Sequence, residues 1–546
     1  MNKPFAITLD VGSSLANKTG SWRTERPVYV DRLPPCNHAC PAGENIQQWL
    51  YLAEEGNYEA AWREIMRNNP MPATMGRVCY HPCEGACNRA KLDTAVGIHA
   101  CERFIGDLAI ERGWKVAVEG PATGKRVLVV GAGPSGLSCA YHLARMGHAV
   151  TVMEAGPAAG GMMRFGIPTY RLPRTVLDAE VARIAALGVV FRFDSKVADL
   201  DATMREEGFD AAFLAVGAHL AKRAYIPAGD ASRILDALQV LRGIESGDRP
   251  LLGRRVLVYG GGNTAMDVAR SAKRLGASEA IVVYRRTRDK MPAHDSEVQE
   301  AMDEGVMFKW LSTIKAEAES GDGQGTFTVE RMSLDAKGYP QPTGEFEEIK
   351  ADSLVLALGQ DVDLSFLAKV AGLSVKDGVV EVGQDMMTGR RGVFAGGDMV
   401  PAERTVTVAI GHGKKAARNI DAYLRGTAYV PEPKHELADF GRLNTWYYSD
   451  APPTVQPALD AARRASTFDE VVGGLDESNA LFEARRCLSC GNCFECDNCY
   501  GVCPDNAVIK LGPGNRFRFN LDYCKGCGVC AKECPCGAIR MEPETI

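Results

Sequence analysis

Six cysteines fall between Cys487 and Cys503, in the run CLSCGNCFECDNCYGVCP. Thiolates at two-residue intervals on a Gly-dotted loop bind soft metals. Cys493, Cys496, Cys499 and Cys503-Pro504 form C-x2-C-x2-C-x3-C-P, and Cys524, Cys527, Cys530 and Cys534-Pro535 repeat it. This is the spacing by which two adjacent 4Fe–4S clusters are held, the fourth Cys of each run ligating the other cluster. One cluster is therefore expected on Cys493, Cys496, Cys499 and Cys534, and a second on Cys524, Cys527, Cys530 and Cys503. Zinc sites instead pair two CxxC knuckles across a longer loop, without the x3-C-P ending. Cys536 is left over as a packed free thiol.

A second group lies at the other end. Cys36 and Cys40 sit in PPCNHACPAGEN, and Cys79, Cys83 and Cys87 in GRVCYHPCEGAC. Spacing by four positions puts thiols on one helical face or around a turn. Buried free thiols are common singly, but five in two tight groups beside Pro and Gly point to metal. Only Cys139 of the 18 cysteines lies between the two ends. A disulfide framework would not empty the middle of the chain, so two metal-binding ends flanking a nearly cysteine-free body are expected.

That body carries nucleotide chemistry. RVLVVGAGPSGLSCAYHLARMGHAVTVMEAG begins at Arg126, with Gly131, Gly133, Pro134, Ser135 and Gly136 in its turn. In GxGxxG the first Gly allows the tight turn and the second lets a pyrophosphate approach. The third lets helix and strand pack closely. The phosphates then face the amides of a helix N-terminus. Glu154, 23 residues after Gly131, stands where an acid binds a ribose hydroxyl. Strand, turn, helix, strand and acid in register make a dinucleotide site. A second copy starts at Arg255, with Gly260, Gly262, Asn263 and Thr264, and with Ala265 in the third position. Its second strand ends in Tyr284, Arg285 and Arg286 rather than an acid. Arginines there suit the 2′-phosphate of NADP(H), although a solvated basic loop would read alike and NAD(H) stays possible. Gly161, Gly217 and Gly359 mark further turns after short strands. GVFAGGDMV supplies Gly397 and Asp398, ahead of a helix expected from about Thr405. Asp398 alone could cap a turn; beside two nucleotide units it is expected at a flavin.

The elements that position these groups imply an α/β protein of several domains, as 546 residues require. Apolar spacing predicts a helix from Ile46 to Met66. Strands are predicted at Val127–Val130, Ala149–Met153, Ala211–Ala218 and Ser353–Gln360. The layout expected is an N-terminal helical iron–sulfur domain over 1–120, opened by an extended arm of about 30 residues. A discontinuous FAD domain would cover 121–249 and 361–430, interrupted by an NAD(P) domain at 250–360. A linker over 431–480 would lead to a two-cluster α+β domain at 481–546. Net charge is 63 − 69 = −6, which gives no reason to expect nucleic acid or an anionic membrane surface. No apolar run approaches a span of about 20 residues, and the N-terminus lacks a signal-peptide core. A cytoplasmic protein is expected.

With these motifs in place, the chain resembles the glutamate synthase small-subunit family of FAD and iron–sulfur oxidoreductases. The resemblance covers about residues 30 to 430 and includes CP-x4-I, GRVC-x3-C-E-x2-C, GAGPSG, GGGNTAMD, YRR with Met291-Pro292, and AGGD. Members with an added C-terminal ferredoxin domain are the most similar. The resemblance implies two more 4Fe–4S clusters in the N-terminal domain, four in all. The family's EA-x-RC-x2-CG motif is absent before Cys36, yet Glu483 to Gly491 matches it at the other end of the chain. It therefore implies that Cys487 and Cys490 fold back to join Cys36 and Cys87. Cys40, Cys79 and Cys83 would hold the other cluster, with Glu102 favoured over Cys101 as fourth ligand.

A nicotinamide gives a hydride and a cluster takes one electron, and a flavin converts between them. The expected activity is electron transfer between NAD(P)H and iron–sulfur clusters, with no general acid. The acceptor or donor would be ferredoxin or a partner subunit, of the 2-oxoacid:ferredoxin oxidoreductase or sulfite-reductase type, in a hetero-oligomer. A flavin disulfide reductase would need a cysteine pair that the gap from 140 to 486 removes. A glutamate synthase small subunit proper, or an electron relay with vestigial nucleotide sites, are the other readings.

Overall fold

The computed structural model describes residues 18–222, 233–319 and 324–544. The first 17 residues, which include most of the expected arm and the segment read for a signal peptide, lie outside them, as do residues 223–232, 320–323 and 545–546.

The periodicity from Ile46 to Met66 gives two helices, Ile46–Glu54 and Tyr58–Met66, rather than one. Gly56 divides them with a left-handed φ of +73°, which glycine adopts without a Cβ clash. Helices Pro72–Val78 and Ile98–Glu111 complete this domain around Trp49, Trp62 and Ile65. The Trp62 ring is wholly buried and lies 5.2 Å from the guanidinium of Arg183, on the FAD-unit helix Arg174–Ala185. Replacing it with alanine is expected to cost about 3–5 kcal/mol, read as an earlier thermal transition by circular dichroism.

Two parallel five-stranded sheets form the body. The first runs in the order Val393–Ala395, Ala211–Leu214, Arg126–Val130, Ala149–Met153, Val190–Arg192. Its central strands are continuous apolar runs because helices cover both faces. The second is ordered Met307–Lys309, Glu279–Val283, Arg255–Tyr259, Ser353–Leu356, Arg233–Asp236. The second sheet corrects an expected boundary. Residues 233–245 were placed with the first unit, yet strand Arg233–Asp236 and helix Ala237–Glu245 belong to the second. The strand has only two apolar residues, too few for a pattern. Its end is set by Asp236, whose carboxylate accepts from Gln239 N at 3.0 Å and caps the helix. Strands Ser312–Glu319, Gly325–Leu334 and Pro340–Ala351 form an antiparallel meander that the sequence analysis did not foresee. Phe327 and Val329 seat it beneath Leu257 and Leu354.

The two units meet through buried charge. Arg171 of the first pairs with Asp267 (2.9 Å) and Glu297 of the second. Chain crossings between the units pair Leu220–Ala221 with Gln360–Asp361.

The ends of the described chain are joined. Strand Glu25–Tyr29 pairs antiparallel with Ile539–Pro543, Tyr29 opposite Ile539. Helix Glu477–Arg485 straddles the expected boundary at 480 and packs on helices Ile46–Glu54 and Ile98–Glu111. Among the described residues no helix is long and apolar enough to cross a membrane.

Candidate functional site

Between the two sheets lies a cleft of about 1400 Å³. From the first unit Gly131, Gly133, Pro134 and Ser135 line it, with Glu154 and Gly161 on the adjoining turns. Gly217, Gly397, Asp398 and Thr405 close that side. From the second come Gly260, Gly262, Asn263 and Thr264, then Arg285, Arg286 and Gly359. Gly136 and Ala265 lie behind the wall. A Cβ on Gly136 would stand 2.0 Å from Gly131 O, so only glycine lets the helix Pro134–Arg145 start this close to its strand. Gly131 has φ +104°, outside the range of ordinary side chains.

Several polar groups stand on the cleft wall. Ser135 Oγ is buried beside the helix N-terminus with no hydrogen-bond partner. That is a donor aimed where a phosphate would rest. The Glu154 carboxylate is held by Ala132 N (2.7 Å) and Gly156 N (2.8 Å). Burial pushes the Asp398 carboxyl up, and nearby Arg404 opposes it. Thr405 caps the helix Val406–Arg425, its side chain accepting from Val408 N at 3.2 Å. In the second unit Arg285 is exposed, and Arg286 Nε is buried without a partner. Lys290, which the sequence analysis passed over, lines the cleft beside them. These residues fit two nucleotides, one flanked by carboxylates and one by cations.

The cysteines converge in four sets. Cys36, Cys87, Cys487 and Cys490 line one small cavity of about 20 Å³. Burial, then the neighbouring Cys487, Cys87 and Cys490, pushes the Cys36 thiol well up. Amides and an amide side chain point at these sulfurs: Ser489 N to Cys487 Sγ and Asn88 Nδ2 to Cys490 Sγ, both 3.4 Å. Cys40, Cys79 and Cys83 form the second set. Burial raises each thiol, and Glu102 is among the further causes in all three. Cys101 turns the other way, toward Ala480 O at 3.7 Å. Neighbouring positions on a helix point about 100° apart, and Glu102 accepts from Asn69 Nδ2 at 2.7 Å on the other side.

Glu44, four residues after Cys40, is a member the sequence analysis missed. Asn69 Nδ2 donates both to Glu44 (3.0 Å) and to Glu102 (2.7 Å). Burial raises both carboxyls. Tyr80, next to Cys79, was also missed; its ring stacks on His294 at 4.7 Å and forms part of the cleft wall.

In the C-terminal domain the two CP runs interleave. The neighbours that perturb Cys499 include Cys534 and Cys496, and those of Cys530 include Cys524, Cys527, Cys499 and Cys503. Cys534 is drawn down to about 6, chiefly by Cys536, whose sulfur lies 3.7 Å away. Ala507 N reaches Cys503 Sγ at 3.2 Å. Grouped thiols with amides aimed at sulfur are a soft donor set, suited to iron–sulfur clusters and not to hard cations.

Comparison with known proteins agrees with this geometry. The pyridine nucleotide-disulphide oxidoreductase family profile matches residues 125–413. The 4Fe-4S cluster domain called dihydropyrimidine dehydrogenase domain II matches residues 21–114, and a 4Fe-4S binding domain matches 517–540. The glutamate synthase [NADPH] small chain of Escherichia coli is 34% identical over 418 residues, which is 72% of this chain and 89% of that protein. This chain belongs to the FAD and iron–sulfur oxidoreductase family of the glutamate synthase small chain. Two relatives in the family extend the match. The NADP(+)-dependent formate dehydrogenase subunit beta of Moorella thermoacetica is 38% identical over 508 residues, 84% of this chain and 70% of that one. The NADPH-Fe(3+) oxidoreductase subunit beta of Geobacter sulfurreducens is 35% identical over 515 residues, 85% and 76% respectively. The chain is an oxidoreductase with FAD, NADP and 4Fe–4S binding units. The matched disulphide-reductase segment contains a single cysteine, buried Cys139, so it has no redox pair of its own.

Proposed function

We propose that this chain carries electrons between NADP(H) and four 4Fe–4S clusters, and onward to or from ferredoxin or a partner redox subunit, in the cytoplasm. The observation that supports it best is that Tyr80, the neighbour of Cys79, walls the same cleft that both Gly-rich turns line. Nucleotide chemistry and the set of Cys40, Cys79 and Cys83 thus share one boundary. A flavin bound in the first unit supplies the exchange between a two-electron hydride carrier and one-electron clusters.

The residues of the chain do the rest. Gly131, Gly133 and Ser135 hold phosphates against helix Pro134–Arg145, and Glu154 takes the ribose. Asp398 and Thr405 face the flavin. Gly260, Gly262, Asn263 and Thr264 receive NADP(H), with Arg285 and Arg286 on its 2′-phosphate. Cys36, Cys87, Cys487 and Cys490 hold one cluster, and Cys40, Cys79, Cys83 and Glu102 another. The interleaved CP runs hold the last pair. Both relatives named as beta subunits support a partner chain.

The test is anaerobic stopped-flow bleaching of the flavin. NADPH is expected to reduce it, and no reduction by NADPH or NADH would sink the reading. Replacing Arg285 and Arg286 by Ala removes charge-assisted bonds of about 1.5–3 kcal/mol. The NADPH concentration for half-maximal rate should rise about ten- to a hundredfold, with the NADH response unchanged.

A further inference from the structure

The helix Val406–Arg425 presents different faces to the cleft and to the N-terminal domain. Thr405, Val406 and Ala409 line the cleft. Thr407, Gly411 and Lys414 recur at four and three positions and so share another face. That face rests on the N-terminal cysteine segment. Gly411 packs so tightly that a Cβ there would stand 2.2 Å from Pro41 O. Lys414 Nζ donates to Ala42 O and, at 3.1 Å, to Asn68 Oδ1. Thr407 is 5% exposed, and its hydroxyl lies 2.9 Å from Cys79 Sγ. Among the described residues its other acceptor is Met75 Sδ, at 3.9 Å.

Threonine is an unusual choice there on packing grounds alone. Valine has the same branched shape and would fill the site, so the hydroxyl is what distinguishes it. A threonine in a helix commonly bonds back to the carbonyl four residues earlier. Near the helix start, Thr407 turns its hydroxyl to sulfur instead.

We propose that Thr407 is a tuning residue for electron exit from the cleft, its hydroxyl donating to Cys79 Sγ and favouring the reduced form of the cluster on Cys40, Cys79 and Cys83. This rests on the function proposed above. Each NADPH oxidised to NADP+ gives up a hydride, whose proton goes to solvent and whose two electrons leave singly. Each electron taken up adds one negative charge to the cluster and its thiolates. A donor on a ligand sulfur interacts more strongly with the more negative state, which is how hydrogen bonds set cluster potentials. The same helix turn therefore borders the cleft and biases its neighbouring cluster toward accepting.

The test is a redox titration of the full chain followed by electron paramagnetic resonance. The signal of this cluster is identified as the one missing in Cys79→Ser. In Thr407→Val, at a poise where the parent cluster is half reduced, its reduced-to-oxidised ratio is expected to fall on the order of fivefold, the worth of one hydrogen bond. Thr407→Ser should keep the parent ratio, and the C-terminal clusters should not shift. An unchanged ratio in Thr407→Val overturns the proposal. If Thr407→Val does not assemble the cluster, Thr407→Ala carries the same comparison. Loss of the cluster in both overturns tuning in favour of a purely structural role. Failure of NADPH to bleach the parent flavin would refute the proposed function instead, because the titration uses chemical reductants.

Discussion

Replacing Cys487 and Cys490 together by Ser should remove one cluster from the N-terminal domain and leave the C-terminal pair assembled. Four clusters carry about sixteen irons, so the variant should retain about twelve. The partner cysteines are Cys36 and Cys87, which line the same cavity. The segment should stay docked without the cluster, because its anchors are separate. The Glu483 carboxylate, wholly buried, accepts from Gly97 N (2.7 Å) and from Thr454 N (2.9 Å). Arg486 donates to Thr94 O (2.6 Å) and Ala95 O (3.1 Å). Iron and sulfide analysis checks the count, and paramagnetic resonance of the reduced protein shows which signals persist. About eight irons in the parent protein, or loss of the C-terminal signals in the variant, would refute the shared site.

Gly136→Ala should yield protein without flavin. The added Cβ would meet Gly131 O at 2.0 Å, and both partners are backbone. Relief requires the helix Pro134–Arg145 to move off its strand, which takes the phosphate-facing amides with it. Overpacking of this kind costs about 1–3 kcal/mol, or roughly five- to a hundredfold in flavin retention. Absorbance near the flavin band of the purified protein, set against its iron content, measures it. Full flavin with full iron would show that the turn tolerates the methyl and does not hold the cofactor.

The sequence was most legible where chemistry is local. Spacing alone located both Gly-rich turns, because the turn, the helix start and the following strand are fixed by adjacent residues. The CP runs were readable for the same reason. Pairing across the chain was different. No periodicity connects Cys87 with Cys490, and only a displaced EA-x-RC-x2-CG motif hinted at it. Glu44 was missed because a single acid beyond Cys40 carries no pattern; its place beside Glu102 arises from helix packing. Strand Arg233–Asp236 was assigned to the wrong unit because so short a run has no period. The meander over residues 312–351 escaped notice since its outer strand is largely exposed and polar.

Strand Glu25–Tyr29 has its partner in Ile539–Pro543, and Cys36 and Cys87 have theirs in Cys487 and Cys490. A ribosome delivers residues in order, at about 5–20 per second. Some 400 residues separate Cys87 from Cys490, so roughly 20–80 s pass before that donor set can close. During this interval the first cysteines are made but incomplete as a binding site. On the proposed assignment that cluster loads only after Cys490 has been made, and a chain truncated before Cys487 would leave an early, open thiol set exposed to oxidation or to the wrong metal. On that assignment, loss of the segment from Cys487 onward is felt at Cys36 and Cys87 as well, since the two lie in one cavity.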